Sequence, residues 1–226
     1  MNAAPTLGLI GGTGLTELDD GFETLDIDTP YGPPSAPVRV LPGGPVRLLF
    51  LPRHGSPHRY PPHKVNYRAN LWALREAGAR QVLAVSAVGG ITPDYGPRTL
   101  AAPDQLIDFT WGREHTYFDG TTVEVRHVEF NSPFTPALRE RLLHAAGAAG
   151  IDCVDGGVYA VTQGPRLETP AEIDRLERDG ADMVGMIIDD PTACGLASGI
   201  LPGADYAFQV TDNDCATGYY SFGREF

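Results

Sequence analysis

Six short apolar runs, set off by nearby glycine or proline, limit the fold most strongly: Thr6–Ile10, Val46–Leu51, Gln81–Ala87, Gln105–Phe109, Val158–Thr162 and Tyr206–Thr211. Each is strand-length. Three segments between them carry helical signals. Asn66–Ala79 sets Tyr67, Leu71, Leu74 and Gly78 on one face, with Asn66 or Asn70 as its cap. Pro136–Ala149 and Pro170–Asp179 each begin with proline at a first-turn position, and Gly180 stops the second. Strands that alternate with helices predict an α/β sheet. At 226 residues, with no repeat and no linker-like tract, the chain reads as one domain spanning 1–226.

Composition excludes several classes of function. The formal charge is −12, and the 17 cations form no cluster, so nucleic acid is not an expected partner. No apolar run approaches the ~18–20 residues of a membrane-spanning helix. The three cysteines, Cys153, Cys194 and Cys215, are odd in number and lack zinc-like spacing, which argues against a disulfide framework or a metal site. The N-terminal MNAAPTLGLI has no basic residue ahead of its apolar stretch, unlike a secretory signal. A reducing cytoplasm is the expected compartment.

Open α/β sheets bind ligands beyond the carboxyl ends of their strands. Three strand-end loops offer donors suited to phosphate. Gly11-Gly12-Thr13-Gly14 brings backbone N–H groups and a hydroxyl. Arg53-His54-Gly55, with His58, brings a guanidinium and imidazoles. Ser86-Ala87-Val88-Gly89-Gly90 brings small residues and another hydroxyl. Parallel strands would converge all three on one edge. A fourth loop, Gln163–Thr169, precedes the third helix, and Gly185-Met186 follows it. Thr211-Asp212-Asn213-Asp214 closes the last run, as a turn with an Asx cap or as a buried acid. The glycine spacing fails the dinucleotide-binding pattern, and no GxxxxGK[ST] loop is present.

In order along the chain, GGTGL, RHGSPH, NYRANLWAL, SAVGG, DQLIDF, GPRLET and GADMVGM resemble the trimeric purine nucleoside phosphorylases, in particular their 5′-methylthio-nucleoside branch. The resemblance covers roughly residues 6–186. It implies an α/β fold with a mixed central sheet flanked by helices, a homotrimer, and phosphate-dependent cleavage of a purine N-glycosidic bond. Inorganic phosphate is then the co-substrate, with no metal or organic cofactor. Carried over by position, Thr13, Arg53, His54, Ser86 and Ala87 hold phosphate. Met186 lies by the ribose, and His127 lies near the 5′ substituent. Glu168 and Asp212, with Asp214, face the purine, and Asp212 is the expected acid.

Such cleavage builds positive charge on the ribosyl ring and negative charge on the departing purine, so the site must hold phosphate on one side and donate to the base on the other. Two features divide the base choice. REHTYF at 113–118 and TQGPRLET at 162–169 resemble methylthioinosine phosphorylases, whereas TDNDC at 211–215 resembles methylthioadenosine phosphorylases. A carboxylate at Glu168 suits the N1–H of hypoxanthine; one at Asp212 or Asp214 suits the adenine amino group. The expectation leans to methylthioadenosine. Alternatives are a 6-oxopurine nucleoside phosphorylase and a non-catalytic nucleoside-binding relative. The family pattern breaks after Met186, where Ile187-Ile188-Asp189-Asp190-Pro191 replaces a small hydroxyl followed by a VPE-like run. Interior glycines weaken the helix expected next. The chain ends at Phe226, without the C-terminal helix that in relatives covers the 5′ pocket.

Overall fold

The computed structural model describes residues 5–15, 22–41, 44–114, 116–118, 120, 125, 127, 129–189 and the backbone of 208–212. In chain order the elements are β1 (Thr6–Gly11), β2 (Glu23–Leu25), β3 (Val38–Leu41), β4 (Arg47–Pro52), α1 (Tyr67–Glu76), β5 (Gln81–Ala87), β6 (Gly89–Gly90), β7 (Leu100–Ala102), β8 (Gln105–Asp108), α2 (Pro136–Ala148), β9 (Cys153–Asp155), β10 (Val158–Val161), α3 (Pro170–Arg178), β11 (Met183–Gly185) and β12 (Phe208–Asp212). They form an eight-stranded mixed sheet in the order β2-β3-β4-β1-β5-β12-β7-β9 and a four-stranded sheet in the order β6-β11-β10-β8. The six apolar runs are β1, β4, β5, β8, β10 and β12, within a residue or two at each end.

Strand β5 shows how period-two alternation builds two layers. Val82 and Ala84 pack with Ile10, Leu71 and Leu74, beneath α1. Leu83 and Val85 point to the opposite face and pack with Leu138, Leu142 and Leu143 of α2. Each fully buried leucine in these clusters contributes about 1.5–3 kcal/mol relative to exposure. Helix α3 covers the smaller sheet through Ile173 and Leu176 against Ala160 and Val184. A further cluster joins the sheets, because Ala101 of β7 meets Tyr159 and Val161 of β10 and Met183 of β11.

The helix ends follow their capping chemistry. The Asn66 side chain accepts from the Ala69 N–H at 3.1 Å, so Asn66 is the cap of α1. The helix stops at Glu76, short of the expected Ala79, because Gly78 turns into the left-handed region at φ 104°. A reciprocal capping box between Thr169 and Glu172 opens α3. Asn70, the other candidate cap, is fully buried in α1 instead. Its Oδ1 accepts from the Ser35 N–H at 2.7 Å and its Nδ2 donates to Ser35 Oγ at 3.0 Å. These two bonds pin the Pro-rich segment 30–37 to the helix. Asn70→Ala orphans the buried Ser35 N–H, and urea denaturation should show a loss of about 1–3 kcal/mol.

Candidate active site

Four adjacent strands, β4, β1, β5 and β12, run parallel. Their register sets Gly11 beside Pro52, and Thr211 and Asp212 beside Ser86 and Ala87. The residues that leave these strands therefore meet at one edge. A Cβ added at Gly12 would lie 2.5 Å from Arg53 Nη1 and 2.6 Å from the Val85 carbonyl oxygen, so only glycine lets these three strand ends come together. Ser86 is 2% exposed, and its hydroxyl has no hydrogen-bond partner. Thr13 is exposed in the turn closed by the Leu15 N–H on the Gly12 carbonyl.

Arg53 is completely buried. Its Nε and Nη2 donate to Asp189 Oδ2, and Nη1 and Nη2 both donate to the Val85 carbonyl at 3.1 Å. Of its five N–H donors, one on Nη1 remains, on the atom nearest Gly12. His54 is 3% exposed, and its Nδ1 lies 2.7 Å from the Tyr60 carbonyl oxygen. A carbonyl only accepts, so Nδ1 carries the proton. Burial, reinforced by Arg53, pushes the imidazole down to about 4, and His58 stacks on it at 4.2 Å. A neutral His54 thus has its lone pair on Nε2.

A second cluster surrounds a cavity of about 350 Å³, lined by Phe109, Trp111, Thr162, Gln163, Glu168 and Arg175 among others. That volume falls in the range of small-ligand sites. Thr162 Oγ1 donates to Glu168 Oε1 at 2.5 Å. Arg113 ties the cavity to its surroundings: Nε donates to Gln163 Oε1 at 3.1 Å, Nη1 to the Met186 carbonyl at 2.9 Å and Nη2 to the Gln163 carbonyl at 2.8 Å. Met186 also packs on Gly164, where an added Cβ would lie 2.6 Å from its Sδ. From Met186 at the cavity to Asp189 at Arg53 the chain takes three steps, at most about 11 Å. The two clusters are therefore neighbours in space.

The phosphorylase superfamily model matches residues 6–186. The chain belongs to the phosphorylase superfamily. It is 54% identical over 182 residues to the "Probable S-methyl-5'-thioinosine phosphorylase" of Xanthomonas campestris pv. campestris, covering 80% of this chain and 73% of that one. It is 48% identical over 181 residues to the S-methyl-5'-thioadenosine phosphorylase of Mycolicibacterium smegmatis, covering 80% and 67%. Among solved structures, the methylthioadenosine phosphorylase of Schistosoma mansoni in complex with tubercidin superposes with a TM-score of 0.84 at 30% identity, covering 92% of this chain and 80% of that one. The mixed-sheet α/β fold expected from the motifs is the fold observed.

In this superfamily member the expected phosphate residues Arg53, His54, Ser86 and Ala87 lie at the shared strand edge, with Thr13 in the adjoining turn. Glu168 lines the cavity, and Met186 packs on Gly164 of its lining. His127 is exposed, and no described contact joins it to either cluster. Asp212 is described by its backbone alone, level with Ala87, and Asp214 lies outside the described residues. Arg113, Gln163 and Asp189 were not singled out from the sequence as site residues. Arg113 and Gln163 stand inside quoted motifs, and Asp189 stands where the family pattern breaks. Ile187, at the position of the missing hydroxyl, is buried against Val65 and Tyr67.

The His54 environment has a measurable consequence. The unfolded imidazole takes its proton near 6.5 and the folded one near 4, so between these values the unfolded state binds more protons. Stability is full above about pH 6.5 and falls as pH drops toward 4, at most by about 1.4 kcal/mol per pH unit. Denaturation at pH 7 and pH 4.5 should show a smaller pH difference in His54→Gln than in the wild type.

Proposed function

We propose that this protein cleaves a 5′-methylthio purine nucleoside with inorganic phosphate. Phosphate oxygen attacks C1′ as the N-glycosidic bond breaks, giving free purine and 5-methylthioribose 1-phosphate. The reading rests on the edge where Gly12, Arg53 and Ser86 meet, with a buried hydroxyl left unpartnered there. The names of the relatives, thioinosine and thioadenosine phosphorylases, agree with it.

Phosphate sits against Ser86 Oγ, the Ala87 N–H, the Thr13 turn and the remaining Nη1 proton of Arg53, and the Nε2 lone pair of His54 accepts from the P–OH of hydrogen phosphate. Nucleoside extends from there past Met186 to the cavity, where Glu168 meets the base. Asp212, leaving β12 beside Ala87, delivers a proton toward N7 of the departing purine, with Asp214 two residues on. Burial and a like-charged neighbour both favour a protonated acid in such a position. Phosphate serves as co-substrate, and no step calls for a metal or an organic cofactor. The working form is a homotrimer in which a neighbour's exposed His127 reaches the 5′ substituent. We place it in the cytoplasm, with no nucleic-acid or membrane partner; among the described residues no helix is long and apolar enough to cross a membrane.

Methylthioadenosine, methylthioinosine and inosine should be compared with and without phosphate. Base should be released from the methylthio nucleosides only when phosphate is present, and more slowly from inosine. Release without phosphate, or none with it, rejects the reading. Ser86→Ala should raise the KM for phosphate about tenfold and leave the nucleoside KM nearly unchanged, since it removes one donor worth about 1–1.5 kcal/mol. Asp212→Asn should lower kcat by about 10²–10⁴ if the proton it carries is used.

A further inference from the structure

We infer that Gln163 is a specificity-determining residue that donates to O6 of the purine while Glu168 accepts from N1–H, so that methylthioinosine is preferred over methylthioadenosine. This deepens the proposed function and rests on it.

The orientation of the Gln163 amide is fixed by its neighbours. The Trp111 backbone N–H and Arg113 Nε, both donors only, point at the same Gln163 atom at 3.2 and 3.1 Å. That atom must be the amide oxygen. The two N–H groups on Nε2 therefore point elsewhere, and they have no protein partner among the described residues. Gln163 lines the cavity, as does Glu168.

Several other polar side chains of the cavity already have partners. Thr162 is spent on Glu168 Oε1. Arg166 and Glu172 hold each other through two bonds at 2.8 and 2.7 Å. Arg175 lies over the Phe109 ring, with its Nε toward Asp179. Gln163 presents its pair of amide N–H donors there, and Glu168 its second carboxylate oxygen. The 6-oxopurine edge carries the complement: two lone pairs on O6 and one N1–H. Adenine carries the reverse, two amino hydrogens and one lone pair on N1. With Gln163 facing the 6-substituent and Glu168 facing N1, adenine sets N–H against N–H and a lone pair against a carboxylate, whereas hypoxanthine forms both bonds. Sites built on such bonds reject the mismatched analogue strongly. Four relatives at 52–54% identity, each named "Probable S-methyl-5'-thioinosine phosphorylase", agree with this base.

Gln163→Glu tests the assignment without dismantling the fold, because the new carboxylate keeps an oxygen for Trp111 N–H and Arg113 Nε. The readout is the ratio of kcat/KM for methylthioinosine to that for methylthioadenosine. The wild type should favour methylthioinosine by at least about tenfold, and Gln163→Glu should lower the ratio by about 10². A role confined to holding Arg113 would change both substrates alike and leave the ratio where it was. An unchanged or raised ratio in the variant, or a wild-type preference for methylthioadenosine, overturns the inference. Should neither nucleoside be cleaved, the proposed function falls and the base assignment is read separately. Calorimetric Kd values for hypoxanthine and adenine then replace kcat/KM, with the same ratio and the same outcomes deciding.

Discussion

The buried ion pair between Arg53 and Asp189 joins three parts of the chain that are remote in sequence. A guanidinium with no exposed surface must find an acceptor for nearly every N–H, since an unpaired buried charge costs several kcal/mol. The ends of β4 and β5 meet through Arg53 on the Val85 carbonyl, and the segment after β11 is drawn in by Asp189. Gly12 is required because the guanidinium occupies the space a side chain would need. The geometry of the strand edge, and so of any anion bound there, follows from satisfying this one cation.

Arg113, which like Arg53 lies close to Tyr67, solves the same problem differently. It donates to neutral oxygens: the Tyr67 hydroxyl, three backbone carbonyls and the Gln163 amide oxygen. Five bonds to neutral oxygens spread the charge over β10, β11 and α1. They also fix what the cavity presents, because holding the amide oxygen of Gln163 turns its nitrogen outward. Burial of Tyr67 nearby pushes its phenol well above the ordinary value, so its hydroxyl stays neutral, accepting from Arg113 and donating to the Pro62 carbonyl.

Runs of five or more apolar residues were readable as strands because they bury whole side chains on a sheet face, as Leu49, Phe50 and Leu51 do in β4. The strands β2, β3, β6, β7, β9 and β11 have two to four residues, too few to show alternation, and they owe their form to the partner strand. Strand-end residues such as Ser86 were readable because a parallel sheet brings loop after loop to one edge. Asp189 was not, since its role depends on folding 136 residues away onto Arg53. Gln163 was not either: its motif marks a loop, but which end of an amide faces a cavity is decided by donors 50 and 52 residues distant.

Pairing Arg53 with Asp189 also bears on the chemistry. An unpaired buried arginine would hold a phosphate dianion tightly, yet phosphate loses negative charge as it bonds to C1′. Strong charge attraction would then stabilise the ground state more than the transition state and slow the step. With Asp189 cancelling the cation, a phosphate bound as proposed meets mainly oriented dipoles: the Ser86 hydroxyl, backbone N–H groups and a single guanidinium proton. Such donors fix direction without a large net field, so phosphate is aligned for attack while its oxygen remains nucleophilic. In the proposed mechanism the negative charge that appears instead on the purine is met at the opposite end of the nucleoside, by the acid leaving β12 and the amide donors of the cavity. On that proposal the two ends of one reaction are served by separate groups, with Arg53 organising the strand edge and Arg113 orienting the Gln163 amide.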